Sequence, residues 1–267
     1  MSQAAKDFLA RVESWSDLSD LVEHFSFYSA NDWLFRGVTN VNHTLIAKIG
    51  REKARIIKRG PGSPRVKRVP YRLADERAIF TMFKSQALAY LQRPPTTPLE
   101  WLALAQHFGM PTRLLDWTES ILIAAWFAVE NAGAKEDGAD AAIWVAHGVS
   151  SIDAEDPCDP FKVKSPCVYR PAHVSARIAA QGSVLMLCPK PTEKVKLAFV
   201  RKITIARRAE FTIKKRLNTC GVNKRLLFPD LQGLAEHLSW LHKHDYLAGY
   251  SDGAGLSIRP TPDEEEQ

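Results

Sequence analysis

The chain lacks any apolar run that is long enough to cross a membrane. The longest, from Ile121 to Val129, is about half of the roughly 20 residues that a transmembrane helix requires. The N-terminal segment MSQAAKDFLARVESW carries charge early and has no apolar stretch typical of a secretory signal. We therefore expect a cytoplasmic protein that has no membrane partner.

Cysteine is scarce, and its spacing is not that of a metal site. The 4 cysteines form no C-x-x-C pair, which argues against a zinc ribbon. Buried free thiols in a reducing compartment are the expectation. His237, His242 and His244 are not separated by the four residues that place two ligands on one helix face, so we expect no metal.

Several familiar catalytic motifs are missing. The sequence contains no G-x-x-x-x-G-K-[ST], G-x-G-x-x-G, G-x-S-x-G or H-E-x-x-H pattern. These absences argue against phosphate-loop NTPases, typical Rossmann enzymes, serine hydrolases of the α/β type and zincins.

Positive charge is present but unevenly distributed. The 267 residues are 45% hydrophobic and 25% charged, an ordinary globular composition, and the formal net charge is +6. Residues 51–72 and residues 190–216 each carry a net charge of +8, so the rest of the chain carries −10. Two basic segments on an acidic body indicate either a polyanionic partner or a solvated loop and a solvated helix face.

Apolar periodicity predicts helices first, then strands mixed with helices, without regular βαβ alternation. We therefore expect an α+β fold with a mixed β core and several flanking helices. The predicted helices are two within 3–28, the second capped by Ser16, then 72–92, Leu99–Phe108, Glu119–Glu130 capped by Thr118, Glu210–Leu217 and Leu231–His244. The predicted strands are Trp33–Phe35, Ala142–Val145, Val184–Leu187 and Val195–Ile205.

The chain shows no obvious linker, so we expect one main domain. The predicted division is a helical N-terminal extension over 1–30, the domain over 31–250 and a flexible acidic tail over 251–267. Prolines and glycines among the bases of 58–70 predict a flexible loop with no regular structure.

An arginine ends the apolar run Trp33-Leu34-Phe35. Arg36 is costly to bury unless it is paired, and Gly37 allows a ligand or a backbone to approach closely. A guanidinium suits phosphate or ribose oxygens because its donors form a rigid fork. The alternative is an arginine that pairs with a structural carboxylate.

The segment from Gln106 to Glu119 is rich in polar side chains and lies between two apolar helices. We read it as a buried loop whose polar groups must find partners. Arg113 could pair with Asp116 across the turn. His107 could act as an acid, a base or a hydrogen-bond donor, or could be a satisfied core histidine.

Four sequence blocks together resemble the FRG domain, which is named for a Phe-Arg-Gly motif. They are Phe35-Arg36-Gly37, the block LAQHFGMPTRLLDWT at 104–118, Gln181-Gly182, and LFPD at 227–230 followed by Gly233-Leu234-Ala235. The resemblance spans roughly residues 33–240.

The FRG pattern is in turn similar to that of ADP-ribosyltransferases, which bind NAD through an Arg or His on a first strand. This resemblance implies that Arg36 and Gly37 form the first element, that Thr118 belongs to a middle element, and that Gln181 lies on the late strand. It also implies NAD as a substrate, with Arg113 as a further binding residue. Families of this shape are often toxins or phage-defence effectors.

The implied reaction assigns a task to each candidate. Arg36 would hold the pyrophosphate or ribose, and His107 or Asp116 would orient the acceptor or take its proton. Gln181 can hydrogen-bond a ribose hydroxyl but supplies no negative charge where the resemblance expects Glu. Asp116 or Glu119 would then provide the carboxylate that stabilises the developing positive charge, or the fold has lost the reaction.

The first basic segment supplies a candidate surface for a nucleic acid. Its predicted phosphate-binding residues are Lys58, Arg59, Arg65, Lys67 and Arg68. The same surface could instead bind an acidic antitoxin or a chaperone. Two other functions stay open: a nuclease or RNA-processing enzyme that uses His107 and Arg113, and a non-catalytic module that binds nucleotides or nucleic acid.

Overall fold

A computed structural model describes residues 7–28, 33–51, 65–133, 138–153, 158–171 and 180–244, together with the strand at 53–57. Ten strands are present in this part of the chain: β1 Arg11–Val12, β2 Trp33–Val38, β3 Lys53–Ile57, β4 Arg65–Val69, β5 Leu114–Thr118, β6 Ala141–His147, β7 Ser151–Ile152, β8 Cys167–Tyr169, β9 Ser183–Leu187 and β10 Phe199–Ile205. The helices are α1 Trp15–Ser26, α2 Leu73–Ala87, α3 Pro98–His107, α4 Ile121–Ala128, α5 Arg207–Thr219, α6 Lys224–Leu227 and α7 Leu231–Lys243. Short 3-10 turns occur at Lys48–Gly50 and Leu88–Tyr90.

Eight strands form one mixed sheet in the order β1-β10-β6-β2-β5-β9-β8-β7. The central strands are antiparallel, and a parallel pair closes each end, β1 with β10 and β7 with β8. Strands β3 and β4 form a separate antiparallel hairpin. The prediction of an α+β fold with a mixed β core is confirmed.

Helices cover one face of the large sheet in two groups. Helices α1, α4 and α5 bury the residues of β2, β6 and β10 that share a face with Phe35. Helices α2 and α3 bury the corresponding residues of β5, β8 and β9, such as Leu114 and Leu185. Because side chains alternate along a strand, Leu34, Leu115 and Met186 form a second core on the opposite face. Residues of α3 from one group and of α4 from the other face each other across the gap between the two groups.

Gly37 is required because helix α4 lies directly against β2. A methyl group at Gly37 would lie 2.0 Å from the carbonyl oxygen of Ala124 and 2.6 Å from the amide nitrogen of Ala128. Such distances are far inside van der Waals contact, so no other residue fits without moving the helix. The close approach that the sequence predicted at Gly37 is therefore one of helix backbone to strand backbone.

Helix α1 begins two residues earlier than the sequence predicted. Helix α1 is capped by Ser14, whose side chain accepts from the Asp17 amide while the Asp17 carboxylate accepts from the Ser14 amide. The predicted cap at Ser16 is wrong because this reciprocal capping box lies two residues upstream. The first predicted helix is not present in the described residues before Ser14, where Arg11 and Val12 pair with Thr204 and Ile205 instead.

Two segments that the sequence predicted as irregular contain strands. Leu114–Thr118 pairs with β9 along its whole length, so the predicted buried loop is wrong there. Arg65–Val69 pairs with Lys53–Ile57, so the predicted irregular loop over 58–70 is wrong over its last residues. Residues 58–64 lie outside the described residues, as does the predicted tail.

Capping of helix α4 also differs from the prediction. The Ser120 hydroxyl, and not that of Thr118, accepts from the Ile123 amide at 3.3 Å. Thr118 ends β5, and its hydroxyl accepts from the Ser120 amide at 3.2 Å. The difference arises because the chain needs two residues to turn from the strand into the helix.

The cysteines form no disulfide among the described residues, and the predicted burial is confirmed for two of them but wrong for Cys220. Cys167 and Cys188 are buried, Cys158 is half-buried and Cys220 is exposed. Burial raises the pKa of the Cys167 thiol to about 11 and that of Cys188 to about 12, so both stay protonated at neutral pH. In the described part of the chain, no helix has the length and apolar character needed to cross a membrane.

Replacing Gly37 tests the close packing of α4 on β2. We expect Gly37→Ala to lower the free energy of unfolding by about 3 kcal/mol or more, because the added methyl overlaps the helix backbone. Urea denaturation followed by circular dichroism measures the loss. The matched control is Gly133→Ala, where φ is 85° and the nearest atom would be 3.9 Å away. It should lose about 1–2 kcal/mol from backbone strain alone. Equal losses in the two variants would contradict the packing explanation.

Candidate functional site

The sheet opens between β2 and β5. Residues Trp33 to Val38 of β2 all pair with β6, and β5 pairs along its whole length with β9. Between β2 and β5, in contrast, Phe35 with Thr118 is the one backbone pair in the described residues. Beyond this pair, no strand of the described residues pairs with the edge of β5 that faces β2.

Side chains and a loop amide satisfy the carbonyl groups on this open edge of β5. The Asp116 carbonyl accepts from Arg36 Nη1 at 2.5 Å, and the Leu114 carbonyl accepts from Gln106 Nε2 at 3.4 Å. Just before the strand, the Thr112 carbonyl accepts from the Ile49 amide at 3.2 Å. These contacts replace the missing strand, because a buried carbonyl without a donor is costly.

A cleft of about 360 Å³ lies over this opening, between the two groups of helices. Its floor is formed by β5 and β9, and helices α3 and α4 form two of its walls. The candidate residues that line it are Arg36, Gly37, His107, Asp116, Thr118 and Gln181. The structure therefore brings together six of the seven catalytic and cofactor-binding residues that the sequence nominated.

Arg36 reaches into the cleft through the gap between β2 and β5. Its side chain is 18% exposed, and Nη1 lies 3.7 Å from the Asp116 carboxylate as well as beside the Asp116 carbonyl. Burial lowers the pKa of the guanidinium, the Asp116 charge opposes this, and the charge of Arg51 adds to the lowering. Arg36 thus fits both interpretations, because it pairs with a carboxylate and also lines the cleft.

Gln106 holds the Asp116 carboxylate in place. Gln106 Nε2 donates to Asp116 Oδ1 at 2.9 Å, while Gln106 Oε1 accepts from the hydroxyl of Thr112, which is fully buried. Because its partners fix both ends of the amide, Asp116 is oriented even though its side chain is 64% exposed. The sequence placed Gln106 in the polar segment but gave it no role.

Gln181 and Thr118 lie side by side at the other end of the cleft. Thr118 pairs with Ser183, and Gln181 precedes that strand by two residues. Gln181 Nε2 donates to the Leu227 carbonyl at 3.0 Å, which joins two blocks of the FRG resemblance. This contact leaves the Gln181 amide oxygen as the atom that can accept a hydrogen bond from a ligand.

Glu119 is not part of the cleft lining that the structure describes. Its carboxylate accepts from Arg170 Nε at 2.8 Å, and Arg170 also donates to the Ser151 hydroxyl at 2.9 Å. Of the two carboxylates that the sequence proposed for charge stabilisation, Asp116 is therefore the one that the cleft contains.

Arg113 lies outside the cleft, and the predicted pairing with Asp116 is wrong. Its guanidinium pairs with both Glu76 oxygens, at 3.0 and 2.6 Å, and the side chains of this pair are each 2% exposed. The guanidinium also donates to the Pro160 carbonyl and to the Tyr71 hydroxyl, and it lies 4.8 Å from the ring centre of Phe161. Arg113 is thus a structural residue that joins α2 to β5.

Tyr71 completes this buried cluster. Burial and the neighbouring Glu76 raise the pKa of Tyr71 to about 12, so its hydroxyl stays protonated and donates to Glu76 at 2.5 Å. Every polar group of the pair therefore has a partner, which is the condition under which a buried ion pair is tolerated.

His107 is the last residue of α3 and lines the cleft beside Gln106. Its ring contacts that of Phe108 edge to face, with 4.9 Å between ring centres. Phe108 itself is 70% exposed. His107 is half-buried in the lining of the cleft.

Two further cations, Lys48 and Arg51, line the cleft from the 3-10 turn that follows β2. Arg51 belongs to the first basic segment, but neither residue was among those predicted for the site. Nothing in the residue pattern around Ala47-Lys48-Ile49-Gly50-Arg51 distinguishes it from a surface turn, so the signal comes from the fold.

The residues predicted to bind nucleic acid fall on the hairpin of β3 and β4. Arg65, Lys67 and Arg68 lie on β4, whereas Lys58 and Arg59 lie outside the described residues. The pairing register places Lys67 opposite Arg55. Apart from Arg51, the described lining of the cleft takes no residue from either basic segment.

The geometry defines a class of protein: a helix-covered mixed sheet that opens at its centre into a cleft lined by cations. Residues 31–137 match the family model of the FRG domain, so the chain contains an FRG domain, as its sequence blocks predicted. No curated protein and no solved structure matches the chain. The family match includes Arg36, Lys48, Arg51, His107 and Asp116, while the strand that follows Gln181 lies outside it.

Breaking the Arg113–Glu76 pair tests its structural role. We expect Arg113→Met to lower the free energy of unfolding by about 3–5 kcal/mol, because Glu76 is left buried without its partner. Urea denaturation measures the change, and the double variant Arg113→Met/Glu76→Met should lose less than Arg113→Met alone. The matched control is Arg208→Met, which breaks an exposed pair with Glu13 and should cost less than about 1 kcal/mol. A loss at Arg113 no larger than that at Arg208 would show that the buried pair is not structural.

Proposed function

We propose that the cleft binds NAD and that the protein is an ADP-ribosyltransferase-like enzyme, which transfers ADP-ribose from NAD to a nucleic acid or a protein. The observation that carries this proposal is the meeting of Arg36, His107, Asp116 and Gln181 around one cleft. These residues come from four separate elements or loops, and the family resemblance assigns all four to steps of one reaction.

The charge of the cleft supports a dinucleotide. Three cations, Arg36, Lys48 and Arg51, face one carboxylate, Asp116, among the described lining residues. This excess of two positive charges complements the two negative charges of a pyrophosphate. The volume of about 360 Å³ lies at the lower end of the range for ligand pockets, so part of a molecule as large as NAD would extend beyond the cleft.

The reaction requires cleavage of the bond between nicotinamide and ribose. The bonding electrons leave with nicotinamide, and an acceptor oxygen or nitrogen forms the new bond to the ribose carbon. Asp116, which Gln106 and Arg36 hold in position, is the group available to stabilise the positive charge that develops at the ribose.

His107 lies within the same lining and can take the acceptor proton. The Gln181 amide oxygen can accept from a ribose hydroxyl and fix the pose, since its amide nitrogen is held by Leu227. A role as a toxin or a phage-defence effector stays a prediction of the family resemblance.

Replacing Arg36 tests the proposed activity. We expect Arg36→Ala to lower NAD turnover by about a hundredfold or more, because the variant loses both a ligand donor and the partner that orients Asp116. Turnover is measured as nicotinamide released and as transfer of a label from the adenylate phosphate of NAD to components of a cell lysate. The fold should persist, since water in the cleft can donate to the Asp116 carbonyl in place of Arg36.

The matched control is Arg225→Ala, which removes an exposed arginine outside the cleft lining and should leave turnover unchanged. Unfolding of Arg36→Ala by circular dichroism would assign Arg36 a structural role instead. Cleavage of RNA without NAD would favour the nuclease, and tight NAD binding without turnover would favour the non-catalytic module.

The hairpin of β3 and β4 supports a polyanionic acceptor. Its two strands carry the bases Lys53, Arg55, Arg65, Lys67 and Arg68. A cluster of bases attracts polyanions such as a nucleic-acid backbone. An acidic antitoxin or chaperone is the competing partner for the same bases.

Neutralising the hairpin tests this partner. The test variant carries Gln in place of five bases, Lys58, Arg59, Arg65, Lys67 and Arg68. We expect it to bind RNA more weakly than the unmodified protein and its affinity to depend less on salt. If about four bases contact phosphates, raising the salt concentration from about 50 to 200 mM lowers the affinity of the unmodified protein for RNA by about a hundredfold. Fluorescence anisotropy with a labelled RNA measures both effects.

The control for the hairpin carries Gln at five other basic positions of the described chain, namely Arg93, Lys162, Lys164, Arg225 and Lys243, and should keep the slope. Unchanged affinity across the salt range in the hairpin variant would exclude this surface as the nucleic-acid site.

A further inference from the structure

Lys48 and Arg51 lie at the two ends of a single 3-10 turn. The turn spans Lys48–Gly50, and the Arg51 amide closes it by donating to the Lys48 carbonyl at 3.4 Å. Lys48 begins the turn and Arg51 caps it, so the turn carries one cation at each end. Both line the cleft that contains Arg36.

The turn is held firmly in place. The Ile49 amide donates to the Thr112 carbonyl at 3.2 Å, which fixes the turn to the segment that leads into β5. A methyl group at Gly50 would lie 1.8 Å from the Pro191 carbonyl oxygen, so the turn also lies directly against the backbone at 191–192. The two cations are therefore carried on a positioned wall of the cleft.

Each cation is anchored through one donor and keeps others available. Lys48 Nζ donates to the Gly109 carbonyl at 3.0 Å and retains two further hydrogens. Arg51 Nε donates to the Ile46 carbonyl at 3.1 Å, which leaves both terminal nitrogens. Both anchors are neutral carbonyl groups, and no carboxylate of the described residues pairs with either side chain.

Arg51 also opposes the positive charge of Arg36. After burial, which is the main cause, the charge of Arg51 contributes to lowering the pKa of the Arg36 guanidinium. Asp116 is the one carboxylate among the described lining residues, and it is held by Gln106 and Arg36. An anion with two charges would complete this arrangement.

We propose that Lys48 and Arg51 form a subsite that binds the diphosphate bridge of a nucleotide, while Arg36 acts nearer the reacting ribose. The choice of NAD as the ligand rests on the proposed function, but the subsite itself would bind a wider class of ligands. Any nucleoside diphosphate or nucleoside diphosphate sugar presents the same bridge, and a nucleoside without phosphates does not.

Binding measurements with truncated ligands test the subsite. Isothermal titration calorimetry with ADP, inorganic pyrophosphate and adenosine compares ligands that contain the bridge with one that lacks it. We expect ADP to bind at least about tenfold more tightly than adenosine and pyrophosphate to bind measurably. Lys48→Gln and Arg51→Gln should each lower the affinity for ADP by about tenfold and leave the affinity for adenosine unchanged. Each variant removes a positive charge that contacts only the diphosphate bridge.

The matched controls are Lys164→Gln and Arg225→Gln, which neutralise exposed cations outside the cleft lining. Thermal unfolding of all four variants confirms that they fold. Equal affinity for ADP and adenosine, no binding of pyrophosphate, or losses at Lys48 and Arg51 no larger than those of the controls would each overturn the subsite.

Failure of this proposal is distinguishable from failure of the transferase. If ADP binding depends on Lys48 and Arg51 but NAD is not cleaved, the subsite stands and the transferase activity does not. If NAD is cleaved and neither variant raises the KM for NAD, the transferase stands and the subsite does not.

Discussion

The single backbone pair between β2 and β5 is the constraint on which the site depends. Because Phe35 and Thr118 alone join these strands in the described residues, the edge of β5 must find its hydrogen-bond donors elsewhere. Arg36 and Gln106 supply them, and the same two side chains hold Asp116. The opening of the sheet thus explains two other features. It requires the buried guanidinium of Arg36 as a donor, and the donors that it requires also orient the Asp116 carboxylate.

The sequence predicted the fold class and most helices, because long apolar periodicities are strong local signals. Helix α4 illustrates this: the apolar run at Ile121–Ala128 is buried, as its composition required. The strand Leu114–Thr118 was missed because its five residues include Asp116, which breaks the apolar pattern where the strand faces the cleft. Strand β4 gives no clear sequence signal, because its residues directly follow the prolines and glycines of 58–64, which predict irregular structure.

The candidate residues were found through their unusual chemistry, whereas their partners depended on the fold. Arg36 and Asp116 stood out as charges beside apolar runs, and both line the cleft. Arg113 stood out for the same reason but pairs with Glu76, which is 37 residues away in the chain and gave no sequence signal of contact. Lys48 and Arg51 were overlooked because a short turn brings them to the cleft without any local pattern.

The opening between β2 and β5 also affects the mechanics of the molecule. Strands β1, β10, β6 and β2 are bonded along their shared lengths, as are β5, β9 and β8, but the two halves share little backbone hydrogen bonding. Local opening follows the lines of fewest backbone contacts. The boundary between these halves is therefore the line along which the sheet can separate with the loss of few backbone hydrogen bonds, and the cleft lies on it.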